Sequence, residues 1–120
     1  MSMRQDSLPN AQNIVLIGFM GSGKSSVGKE ISALCDYFFC DSDELIQSIV
    51  NKSINEIFTD LGESAFRNME SRLLQWLQAN ARHCVIATGG GMPVFNDMRN
   101  LGVVVFLDND FESIAKRLDT

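Results

Sequence analysis

Positive charge is scarce in this 120-residue sequence: Lys and Arg number 10 against 15 Asp and Glu, a net charge of −5. There is no basic cluster, which argues against a surface that tracks a nucleic-acid backbone; any phosphate handled here must meet positive charge gathered at one spot. Cysteine is also sparse. Cys35, Cys40 and Cys84 are odd in number and lack metal-type spacing, so they read as reduced, buried or half-buried thiols rather than a disulfide framework or a zinc site. No apolar run approaches the ~20 residues that cross a bilayer, and the opening MSMRQDSLPNAQN has no apolar stretch of the signal-peptide kind. These absences lead to the expectation of a soluble, cytoplasmic protein with neither nucleic acid nor membrane as partner. The single histidine, His83, reads as a surface residue ahead of a strand, and Trp76 and the methionines read as packing.

What the chain does have is apolar content, 45% of residues, enough for one packed domain. Residues 1–13 read as a polar lead-in and 14–120 as the domain. Ile14-Val15-Leu16-Ile17 is a short apolar run of the kind found in buried parallel strands. Tyr37–Cys40, Cys84–Ala87 and Val103–Leu107 repeat the pattern. Between them the apolar spacing is helical: Val27, Ile31 and Leu34 on one buried face, then Leu45, Ile46, Ile49 and Val50. Ser53-Ile54-Asn55-Glu56 is a capping-box pattern opening a helix through Leu61, with Gly62 ending it. A long helix follows through Phe66, Leu73, Trp76 and Leu77, and Phe111, Ile114 and Leu118 mark a last one. Strands alternating with helices, each strand apolar on both faces, predict a three-layer α/β/α fold around a central parallel sheet.

Gly18-Phe19-Met20-Gly21-Ser22-Gly23-Lys24-Ser25 fits the P-loop pattern G-x-x-x-x-G-K-[ST] between a strand and a helix. Glycines let successive backbone N–H groups converge on one anion, and the helix that follows adds its positive dipole end. Gly21, Ser22, Gly23, Lys24, Ser25 and Ser26 are therefore the candidate nucleotide contacts. Lys24 brings a mobile charge for the β- and γ-phosphates, and the Ser25 hydroxyl is a hard ligand for Mg²⁺.

The motif alone names no reaction. No Asn-Lys-x-Asp is present for a GTPase. Asp108, after Val103–Leu107, resembles a magnesium aspartate, but Asp108 and Asp110 precede a helix and suit caps. Asp41-Ser42-Asp43 ends the second strand at the sheet edge where ligands bind in open α/β folds. Asp41 suits Mg²⁺, directly or through water. Asp43 suits orienting or deprotonating a substrate hydroxyl, and equally suits capping a helix that starts at Glu44. Arg67 offers a two-point fork for a carboxylate, although its spacing alone favours an ion pair with Glu63 or Glu70 on its own helix. Gly89-Gly90-Gly91 exceeds what a turn requires and suggests that a ligand lies against the backbone.

In order, the P-loop, Asp41-Ser42-Asp43, Gly62-Glu63…Phe66-Arg67…Glu70 and Ala87-Thr88-Gly89-Gly90-Gly91 resemble the shikimate kinases, from about Asn13 to the end of the chain. The resemblance implies an ATP-dependent phosphotransferase acting on the 3-hydroxyl of shikimate in chorismate and aromatic amino acid biosynthesis. It implies ATP and Mg²⁺ as cofactors, with Lys24 and Asp43 catalytic, Ser25 and Asp41 at the metal, and Asp43, Arg67 and Gly90 on shikimate. A monomer is expected. It also implies a lid with an Arg-Pro segment, a further substrate arginine, and a last strand and helix, none of which is found before Thr120. The expectation is therefore that the lid and last strand are missing and that these 120 residues alone turn over weakly or not at all. A related small-molecule kinase such as a gluconate kinase, or a nucleotide-binding module without catalysis, is the alternative.

Overall fold

The computed structural model describes residues 12–18 and 23–107. Four strands, β1 (Asn13–Gly18), β2 (Phe38–Asp41), β3 (Cys84–Ala87) and β4 (Gly102–Leu107), form one sheet in the order β2-β3-β1-β4. Every pairing is parallel: Val15 lies opposite both Ile86 and Val104, and Asp41 opposite Ala87. All four strands consequently finish at the same edge.

Side chains alternate along each strand, and the two faces carry separate cores. Val15 and Ile86 pack with Ile46, Ile57, Phe66, Leu73, Leu74 and Leu77, which come from α2 (Ser42–Val50), α3 (Ile54–Leu61) and α4 (Glu63–Asn80). Leu16 and Val85 face the other way, against Val27, Ile31 and Cys35 of α1 (Lys24–Cys35). A short α5 (Met92–Phe95) follows β3. The expected three layers are present, with both faces of the central strands covered.

The helix boundaries have local causes. Ser53 and Glu56 form the capping box: Ser53 Oγ accepts from Glu56 N at 3.1 Å, and Ser53 N donates to Glu56 Oε1 at 2.8 Å. Gly62, at φ 91°, ends α3 and begins α4 in one residue. Asp36 and Asn51 take the left-handed conformation that closes α1 and α2.

Several expectations are corrected. Strand β1 starts at Asn13, which is buried and not part of a polar lead-in; its side-chain amide donates to Ala81 O and Leu101 O, and its Oδ1 accepts from Cys84 N. Strand β2 starts at Phe38, not Tyr37. Leu34 is 82% exposed, off the buried face of α1, because the helix turns it past the edge of its contact with the sheet; Trp76 is 60% exposed and is not core packing. The outer strands are apolar without being fully covered: Phe38, Val103 and Phe106 are exposed among the described residues. His83 is half-buried at φ 59°, its ring edge-on to Tyr37 at 5.4 Å, rather than a plain surface residue. The three thiols are half-buried, as expected. The lead-in up to residue 11, Gly21, Ser22, Asp108, Asp110 and the helix expected through Phe111, Ile114 and Leu118 lie outside the described residues.

Candidate active site

Because the strands are parallel, Gly18, Asp41 and Ala87 deliver their following residues to one edge. Gly23, at φ 85°, turns the chain into α1, a conformation that glycine adopts at little cost. Lys24, the first residue of α1, reaches back so that Nζ donates to Gly18 O at 2.7 Å. Burial lowers the Lys24 pKa, and the carboxylates of Asp43 and then Asp41 oppose it. Ser25 and Ser26 are exposed on the same first turn.

Asp41, at the end of β2, links that strand to the first turn of α1. Its Oδ2 accepts from Ser25 Oγ at 3.1 Å, while Oδ1 accepts from Asp43 N at 2.9 Å and Glu44 N at 3.1 Å. The cap of α2 is therefore Asp41, and the helix starts at Ser42 rather than Glu44. That releases Asp43: its side chain is not needed as a cap. Burial raises the Asp43 pKa, the neighbouring Asp41 raises it further, and Lys24 and Arg67 pull it down. Asp43 thus lies within the fields of both cations, between the phosphate loop and α4.

Arg67 makes both of the helical ion pairs open to it. Its Nη1 donates to Glu70 Oε1 at 2.7 Å, and Nε lies 3.5 Å from Glu63 Oε2. Its guanidinium carbon also lies 4.7 Å from the Phe95 ring centroid and 5.3 Å from that of Phe66. One aromatic ring on the α5 side and one on its own helix confine the fork, and a quarter of the side chain stays open. Glu70 is fully buried. Burial raises its pKa against the pull of Arg67.

The glycine run supplies the floor. Thr88 N and Oγ1 both donate to Leu16 O at 3.1 Å, and Gly89 N donates to Ser42 Oγ at 2.9 Å, fixing the loop to β1 and α2. A Cβ at Gly89 would strike the Asp43 carboxylate, and one at Gly91 the Arg67 guanidinium. A Cβ at Gly90 would meet nothing within 4 Å, and Gly90 is exposed. Two of the three glycines are thus explained by side chains of the site, and the middle one faces open space.

Lys24, Ser25, Asp41, Asp43, Arg67 and Gly90 are brought to the same edge. Gly21 and Ser22 are the two candidates outside the described residues. Three contributors had little sequence signal: Ser42, buried beneath Gly89; Phe95, stacked on Arg67; and Asn96, which accepts from Ser71 Oγ at 2.8 Å and ties α5 to α4. Glu70 had one, its i+3 spacing from Arg67.

Ser25 Oγ and Asp41 Oδ2 are two hard oxygens within hydrogen-bond distance of each other. Among the described residues no cluster of three or more His, Cys, Asp or Glu could hold a metal. A pair of oxygens suits Mg²⁺, which keeps most of its waters and takes further ligands from phosphates.

The family model described as shikimate kinase matches residues 20–120. A shikimate kinase of Helicobacter hepaticus is 58% identical over 107 residues, which are 89% of this chain and 64% of the relative. The solved structure of shikimate kinase from Acinetobacter baumannii in complex with shikimate superposes with a TM-score of 0.77 at 33% identity, covering 94% of this chain and 65% of that one. A gluconokinase from Sinorhizobium meliloti superposes with a TM-score of 0.56 at 24% identity over 90% of this chain and 63% of that one, which shows a shared fold alone. The chain thus spans somewhat less than two-thirds of the length of these relatives.

Proposed function

As the chain belongs to the shikimate kinase family, we propose that the residues from Asn13 onward form part of the catalytic domain of an ATP-dependent kinase that phosphorylates the 3-hydroxyl of shikimate. The observation that carries the reading is the position of Asp43, whose carboxylate feels the charges of both Lys24 and Arg67 and lies against Gly89, as Arg67 lies against Gly91. One carboxylate between a phosphate-binding lysine and a carboxylate-binding arginine is the layout that a transfer from ATP to a hydroxy acid requires.

Phosphoryl transfer depends on alignment and on charge neutralisation more than on covalent chemistry by the protein. Gly21, Ser22 and Gly23, with Ser25 and Ser26, are the contacts proposed for the nucleotide phosphates. Lys24 meets the charge that builds on the transferring group. Ser25 and Asp41 would hold Mg²⁺, which supplies charge neutralisation across the phosphates when bound. Asp43 accepts a hydrogen bond from the attacking hydroxyl and holds it in line. Its raised pKa keeps it a better proton acceptor than an ordinary surface aspartate, because desolvation disfavours its charge. Arg67, held by Glu70 and stacked on Phe95, fixes the far end of the acceptor through its carboxylate. Gly90 leaves room for the acceptor ring over its backbone.

On this reading the protein works as a cytoplasmic monomer on two soluble small molecules, with no nucleic acid or membrane involved. Among the described residues no helix is long and apolar enough to cross a membrane. The test is a coupled ADP-release assay with ATP and Mg²⁺ on the chain extended through the expected lid and last strand, comparing shikimate, gluconate and nucleoside monophosphates. Shikimate-dependent turnover at least about a hundredfold above the others is expected. Equal or greater turnover of gluconate overturns the substrate assignment, and nucleotide binding without coupling to any acceptor overturns the enzyme.

A further inference from the structure

Helices α2 and α4 do not close against each other along their full length. Between them lies a cavity of about 450 Å³, within the range that takes small organic molecules. Ile46 and Leu73 form its buried floor, and Leu45 and Met69 line it further. Its rim is Ile49, 72% exposed, and Trp76, 60% exposed. Leaving a tryptophan and an isoleucine uncovered on facing helices costs hydrophobic stabilisation at both positions, and together they make a patch rather than scattered single residues.

One lining residue is charged, Arg72. Residues three and four away along the helix are Asn68, Met69, Gln75 and Trp76, so no helical carboxylate is within reach of an i,i+3 or i,i+4 pair. Among the described residues Arg67, Arg82 and Arg99 each have hydrogen-bond partners, whereas Arg72 has neither a hydrogen bond nor an ion pair. In a protein with five more acidic than basic side chains, an unpaired guanidinium beside an apolar cleft specifies what fits there. The occupant has an apolar body and one carboxylate, met by the two-point fork of the guanidinium.

We propose that the α2–α4 groove is a binding site for a free small carboxylic acid with an apolar body. The body lies between Ile49 and Trp76 over Ile46 and Leu73, and the carboxylate pairs with Arg72. The site is separate from the acceptor site. At about 100° per residue, Arg72 is turned roughly 140° around α4 from Arg67, so the two arginines serve different faces of one helix. The limited volume and the single cation favour one small molecule over a protein segment. This inference goes beyond the kinase reading and does not depend on it.

Trp76 is the only tryptophan in the chain, so its emission reports the groove directly. The experiment is a titration of the protein with decanoate, kept below its aggregation concentration, following Trp76 fluorescence. The expected result is a saturable blue shift that fits one site per chain, with Kd on the order of 0.1 mM. Arg72→Ala should weaken binding at least tenfold, with Arg72→Lys between the two, and 1-decanol should bind at least tenfold more weakly than decanoate. Ile49→Glu should abolish the shift while leaving ATP binding, measured separately, unchanged. Circular dichroism of each variant checks that it is folded. Equal binding of decanol and decanoate, indifference to Arg72→Ala, or no saturable shift overturns the proposal. A shift that accompanies dimerisation in light scattering also overturns it and makes the groove a surface between protein chains.

Discussion

Arg67 and Glu70 are joined by a 2.7 Å hydrogen bond between a glutamate side chain that is 1% exposed and an arginine side chain that is 25% exposed. The buried partner anchors the half-open one. A guanidinium on a long flexible stem loses rotamer entropy when it is held for a ligand; here much of that loss has occurred before any ligand arrives, through Glu70 on one side and Phe95 on the other.

Glu70→Ala removes that anchor and leaves a partly buried guanidinium short of its acceptor. The expected cost is about 2–3 kcal/mol of stability, read by urea denaturation, with a raised KM for the carboxylate-bearing acceptor. Retained stability and unchanged KM would show that Glu63 or Phe95 alone holds Arg67.

Glu70→Gln separates charge from shape. Burial dominates and lifts the Glu70 pKa above its ordinary 4.5, so the native state keeps this proton to higher pH than the unfolded chain does. Its contribution is fully present below the ordinary value and is lost as pH rises through the folded value. Stability measured from pH 4 to 7 should therefore move in favour of Glu70→Gln, relative to the parent, as pH increases. Parallel curves would sink the assignment.

The three glycines should respond differently. Gly90→Ala has open space for its methyl group, so stability stays within about 0.5 kcal/mol of the parent, while acceptor KM rises if the ring lies over this residue. Gly91→Ala displaces the Arg67 guanidinium and Gly89→Ala displaces the Asp43 carboxylate. Both should impair turnover at least about tenfold, whether or not they destabilise. Steady-state kinetics on the set decides it; full activity of Gly91→Ala would rule out a fixed Arg67.

Ser53→Ala is the control away from the site. Losing the capping box of α3 should cost about 1 kcal/mol and lower Tm by a few degrees, with kinetic constants unchanged at temperatures where the protein is folded.

Burial and then the neighbouring Cys84 push the Cys40 thiol up to about 11. At pH 8 only about one Cys40 in a thousand is then a thiolate. Iodoacetamide should modify it at least tenfold more slowly than it modifies a free thiol, as followed by peptide mass spectrometry. Rapid labelling would show that the β2–β3 edge opens.

The fold was legible because strand and helix punctuation is local: the apolar runs at 14–17 and 84–87, the capping box at Ser53 and the glycine at 62 each act within a few residues. The site was legible as motifs, but not as contacts. Nothing in Asp-Ser-Asp says which aspartate takes the cap; backbone geometry at the strand end gives it to Asp41 and leaves the Asp43 side chain out of it. Phe95 meets Arg67 only through tertiary packing across 28 positions, a separation that leaves no trace in periodicity. Leu34 and Trp76 fit helical spacing yet face outward, because spacing defines a stripe and not how far a neighbour covers it.

Asn13 sets the level at which the sheet begins. Its three hydrogen bonds, to Ala81 O, Leu101 O and from Cys84 N, tie the beginnings of β1, β3 and β4 and the exit of α4 together at one end. With those ends held level, the parallel registers carry the strands to a common finishing edge. A single buried amide thus acts as the zero mark from which the distances among Lys24, Asp43 and the glycine run at the opposite end are measured out.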